Sequence, residues 1–105
     1  MPYIEPDQRD TLDPAIDALI EQIKRTQAAA GDPTAYAGLM NYACTRLALG
    51  VIPERRYASI ATVTGVFHNI INEFYRRYAV PYEEAKITDN GDVYDQEPVR
   101  AAMSR

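Results

Sequence analysis

The stretch EFYRRYAVPYEE, residues 73–84, sets three tyrosines and a phenylalanine around Arg76 and Arg77. A planar guanidinium offers paired donors to a phosphate or carboxylate, and a tyrosine ring stacks on a base while its hydroxyl hydrogen-bonds. Similar chemistry recurs twice: at Arg55, Arg56 and Tyr57, and at Asn41, Tyr42, Thr45 and Arg46. On the helix read below, Asn69 shares a column with Arg76, while Tyr75 sits on the other flank of the apolar stripe beside His68. Together these residues suit a nucleotide-like anion, and clusters contributed by more than one copy of the chain would form a pocket between subunits. The same neighbours serve equally well as interface anchors or snorkelling side chains, and Arg76 and Arg77 have Glu73, Glu83 and Glu84 within reach. Both readings stay open.

Nothing in the sequence assembles catalytic or metal-binding chemistry. Acid–base work would rest on Glu73 or His68 with no visible partner. His68 has no second His or Cys at ligand spacing and reads as structural. Cys44 reads as a buried thiol inside a helix, and one cysteine excludes an intramolecular disulfide framework. Asp89, Asp92 and Asp95 imitate a calcium loop only loosely, because the glycine and the closing glutamate are misplaced. The expectation is therefore no catalytic residue, no metal and no cofactor.

The elements that must position these clusters are helical. The chain of 105 residues, 47% hydrophobic and 25% charged, has the composition of one globular domain. A first helix is expected over about 13–30, with Asp13 as cap, Pro14 at its first position, Gly31 as its end, and a stripe of Leu12, Ile16, Leu19, Ile20 and Ile23. Asp32-Pro33 opens a second, over 33–49, with Gly50 as stop and Tyr36, Leu39, Met40, Ala43 and Leu47 on one face. A third, over 59–79, carries Ile60, Val63, Phe67, Ile70, Ile71, Phe74 and Tyr78 and is broken or kinked by Pro81. The resulting fold class is all-α, a small three-helix antiparallel bundle. Residues 80–94 form a short helical or hairpin extension, with Asn90-Gly91 as a tight-turn signal, and 95–105 form a mobile tail.

Charge is segregated along this plan. Residues 1–38 carry −4, residues 80–105 carry −3, and the middle, where Arg46, Arg55, Arg56, Arg76 and Arg77 face only Glu54 and Glu73, carries +3. A net charge of −4 argues against nonspecific duplex binding. From Pro33 to Asn72 the only charges are Arg46, Glu54, Arg55 and Arg56, so two helices are almost uncharged all round. On the third, the side opposite the apolar stripe holds Thr62, Gly65, Asn69, Asn72 and Arg76, small or amide side chains that admit another backbone. A single small domain cannot cover both sides of two such helices, and self-association is expected. No apolar run reaches the length of a membrane span, and the N-terminus lacks the features of a signal peptide; the location expected is the cytoplasm.

The segments NYACTRL and EFYRRYAVPYEEAKITDNGDVY, in that order, resemble a family of small uncharacterised proteins of tailed phages and bacteria. The resemblance covers about Leu12 to Tyr94. Its best-matching positions are Asn41, Tyr42, Thr45 and Arg46, then Glu73, Tyr75, Arg76, Arg77, Pro81 and Tyr82. It brings no catalytic residues. It implies phage origin and a role inside the infected host, where small helical oligomers include sponges that hold nucleotide immune signals without chemistry. The function expected is therefore a non-enzymatic oligomeric binding protein for such a signal. The competing class is a protein–protein interaction module, an inhibitor of a host protein or a small particle component, with the acidic ends as its contact surface.

Overall fold

The computed structural model describes residues 2–104. All regular structure in them is helical: α1 (Pro6–Ala30), α2 (Ala35–Val51), α3 (Tyr57–Phe74), a π-helical turn (Tyr75–Ala79), α4 (Val80–Asn90), a short 3₁₀ turn (Val93–Asp95) and α5 (Glu97–Met103). Compactness divides the chain between Val66 and Phe67.

In the first unit, α1 begins a full two turns before the Asp13-Pro14 signal. Glu5-Pro6 supplies the same start chemistry earlier: the Glu5 N–H is taken up by Gln8 Oε1 at 3.2 Å, and Asp7 adds a carboxylate to the first turn, where the helix dipole favours it. Pro14 consequently lies inside the helix. It removes the bond to the Asp10 carbonyl, and α1 continues through it to Ala30. Gly31 ends α1 in the left-handed conformation, φ 69°, as the sequence leads one to expect.

The second helix differs at both ends. Asp32 caps no helix; its Oδ1 accepts from the Thr34 backbone N–H and from the Thr34 hydroxyl, both at 2.9 Å, closing a turn ahead of Ala35. Gly50 does not stop the helix, because nothing forces its φ positive. The stop belongs to Pro53, which pushes Ile52 into extended backbone, φ −65° and ψ 123°.

α1 and α2 pack on one another. On α1 only Ile23 and Gln27, near the connecting turn, are half-buried; on α2 Ala35, Leu39, Ala43, Cys44 and Ala48 are. The small residues of that second set let the helices come close, but they bury little. With 17 residues α2 is about 26 Å long, whereas the 25 residues of α1 span about 37 Å, so α1 overhangs. Tyr36, Met40 and Leu47, read from the sequence as sharing one face with Leu39 and Ala43, are exposed, Leu47 by 65%. No described residue is fully buried.

In the second unit the helix passes through Pro81 instead of ending before it. Proline has no N–H to give the Arg77 carbonyl, and its ring would collide with that carbonyl in α geometry. The backbone accommodates it by widening: Val80 N–H bonds to Tyr75 O, five residues back, and the helix resumes to Asn90. Asn90-Gly91 then acts as a helix end, with Gly91 N–H on Ile87 O at 2.9 Å, and not as a hairpin turn. Where the sequence assigns no element after Tyr94, Glu97–Met103 form α5, steadied by an Arg100–Asp95 pair at 3.2 Å.

Candidate functional site

The most developed of the three arginine–tyrosine clusters is on α2. Asn41, Tyr42, Thr45 and Arg46 fall at i, i+1, i+4 and i+5, which places them on adjacent columns of one helix. The Thr45 hydroxyl donates to the Asn41 carbonyl at 2.8 Å and lies 3.3 Å from Asn41 Oδ1. Arg46 Nη1 donates to the Tyr42 hydroxyl at 3.2 Å, and the guanidinium carbon stands 5.9 Å from the centre of the Tyr42 ring, within cation–π range. Beside this couple is a concavity of about 550 Å³ lined by Ala37, Gly38, Asn41, Tyr42 and Thr45. All five lie on one face of α2, and a Cβ added at Gly38 would meet no atom within 4 Å.

The loop cluster is simpler. Arg56 Nη1 is paired with Glu54 Oε1 at 2.9 Å, while Tyr57 opens α3 and is 87% exposed. Both partners of the pair are well exposed, so it contributes at most about 1 kcal/mol.

The third cluster, in the second unit, is occupied by its own carboxylate. Arg76 Nη2 meets Glu73 Oε1 at 2.6 Å, an i,i+3 pair whose glutamate is largely shielded. Arg77 and Tyr75 share the π turn with Arg76, and Asn69 lies on α3. Phe74 and Tyr78 stack with ring centres 5.1 Å apart and planes inclined by 17°. Lys86 sits 5.5 Å from the Tyr82 ring centre, a contact absent from the sequence reading although its i,i+4 spacing announces it. Thus Asn41, Tyr42, Thr45 and Arg46 are joined into one surface, whereas Arg56 and Arg76 are neutralised by neighbours in sequence.

Two further features escaped the sequence reading. Gly38 in the lining of the concavity had no signal beyond its identity. An apolar hollow of about 390 Å³ between the end of α2 and the start of α3, lined by Val51, Ile52, Pro53, Val63 and Val66 among others, depends on how the VIPERR link folds. Cys44 is free and half-buried. Among the described residues no three of His, Cys, Asp and Glu are grouped to hold a metal ion, and no helix is long and apolar enough to cross a membrane.

The class so defined is an all-helical protein with open apolar faces and a guanidinium–phenol couple on α2. The chain belongs to the family described as Domain of unknown function (DUF6899), whose model matches residues 1–93 and so takes in all three arginine–tyrosine clusters. No curated protein and no solved structure matches it.

Proposed function

We propose that this chain is a non-enzymatic, self-associating binding protein that captures a nucleotide-type anion on α2. The observation that carries the reading is Arg46: its guanidinium is held over Tyr42, itself one of the residues lining a concavity, with no carboxylate partner among the ion pairs of the described residues. A phosphate arriving there takes over the guanidinium donors from the phenol, and the freed Tyr42 ring and Asn41 amide meet a base. The clusters at Arg55, Arg56 and Tyr57 and at Tyr75, Arg76 and Arg77 with Asn69 are secondary contacts, available where another copy brings them close. Exposed apolar faces on α1, α2 and α3 supply the reason for copies to associate. The resemblance to phage-encoded proteins directs the choice of ligand to nucleotide immune signals of a host, held in the cytoplasm and released unchanged.

The test is native mass spectrometry of the protein with a panel of cyclic dinucleotides and cyclic ADP-ribose. Whole-number ligand masses on a closed oligomer are expected. Arg46→Ala should weaken uptake roughly 10- to 100-fold, the worth of one charged hydrogen bond, at unchanged oligomer mass. Ligand-free protein across the panel would overturn the reading.

A second reading, a protein–protein interaction module, is favoured by the carboxylate pairing of Arg56 and Arg76 together with the exposed apolar faces. It predicts that reversing Asp10, Asp13 and Asp17 abolishes capture of a protein partner while Arg46→Ala leaves that capture intact.

A further inference from the structure

Two apolar surfaces in the first unit are complementary and neither is covered. One is the stripe of α1: Leu12, Ile16, Leu19 and Ile20 follow the i, i+4, i+7, i+8 pattern of a buried helix face, yet each stays between 43% and 50% exposed, because α2 packs near the turn and leaves this part of α1 open. The other is the hollow where Val51, Ile52 and Pro53 oppose Ala58, Val63 and Val66. Ser59 and Thr62 add hydroxyls to an otherwise aliphatic lining, which includes no charged residue.

Charge distinguishes the occupant. Residues 6–22 of α1 carry Asp7, Asp10, Asp13, Asp17 and Glu21 against Arg9 alone. With residues at 100° intervals, Asp13 and Asp17 border the apolar stripe on one side. Directly after the Val51–Pro53 wall come Arg55 and Arg56, where Arg55 has no ion pair among those of the described residues and Arg56 has only the exposed Glu54. An acid-bordered apolar helix is thus the opposite in charge to the arginines that follow the hollow's wall in sequence, past Glu54. Both surfaces stay open in the same chain, so the match is met by a second copy.

We infer that the α1 stripe of one copy seats in the α2–α3 hollow of its partner, with Asp13 and Asp17 set against the partner's Arg55 and Arg56, and that the exchange is reciprocal about a two-fold axis. This rests on the self-association proposed above and names its seam. It also gives the loop arginines a role apart from the ligand.

The seam is tested on the full chain. Two differently tagged variants, Ile16→Cys and Val63→Cys, each with Cys44→Ser, are mixed, refolded together and treated with a short bismaleimide. A hetero-crosslinked pair of both tags is the expected product. Independently, Asp13→Arg with Asp17→Arg should weaken association about tenfold as rim charges become repulsive, and adding Arg55→Asp with Arg56→Asp should restore it. If the protein associates but crosslinks only Ile16→Cys to itself, or not at all, and the charge reversal is not rescued, the seam is wrong while self-association stands. A wild-type protein that sediments as a monomer at every concentration would overturn both.

Discussion

Asp32 shows how one side chain can shape the entry to the candidate site. Its carboxylate accepts two bonds from Thr34, backbone and hydroxyl, and these hold its pKa below the ordinary value of 3.8. Because the folded pKa is depressed, the turn's contribution to stability is fully present above the unfolded value and is lost as pH falls through the lower, folded one. Thr34→Val keeps the backbone bond, which is the larger cause, and removes the hydroxyl. Its Asp32 titration, followed by the carboxyl carbon in NMR, should move part of the way back up; an unshifted wild-type titration would mean that the turn does not form in solution. Arg46 is the converse case: its side-chain partner is the Tyr42 hydroxyl and not a carboxylate.

At the scale of the element, Gly38 separates helix energetics from capture. It lies inside α2 with ordinary helical backbone and an open Cβ direction, so Gly38→Ala should stabilise the helix by about 0.5–1 kcal/mol. The added methyl would stand among the residues lining the proposed ligand surface, so ligand uptake should fall although thermal stability rises; a variant gaining stability with undiminished uptake would place the ligand elsewhere. The place of Gly38 in that lining was hidden in the sequence, whereas the Asn41–Tyr42–Thr45–Arg46 surface was legible because helical spacing alone sets those neighbours. The existence of α1, α2 and α3 was legible for the same reason, whereas α5, in a stretch read as a mobile tail, was not. The ends were not, since they turn on competing local signals: Glu5-Pro6 overtakes Asp13-Pro14, Pro53 overtakes Gly50, and the chain widens into a π turn at Tyr75–Ala79 to carry Pro81 inside a helix. Apolar faces misled most. Periodicity says that Met40 and Leu47 share a side, but only packing decides whether anything lies against it, and here the chain's own helices do not cover them.

For the whole molecule, the governing fact is that no described residue is fully buried, while Ile70, Ile71, Phe74 and Tyr78 in the second unit are exposed as fully as the stripes of the first. Hydrophobic burial is the main favourable contribution to folding, and each ordered residue costs roughly 1–2 kcal/mol of backbone entropy. Helices this open are not sustained by propensity alone, since isolated helices of such length are marginal in water. On the self-association proposed above, folding is coupled to association, and the coupling has a thermodynamic signature. For a dimer that unfolds as it dissociates, each tenfold rise in concentration adds about 1.4 kcal/mol of apparent stability, so the melting temperature should climb steadily between micromolar and millimolar protein. Ile16→Asp should lower the melting temperature most at low concentration, because it places a charge in the proposed seam. A melting temperature independent of concentration would instead require a monomer that buries these faces within itself, and differential scanning calorimetry across that range distinguishes the two.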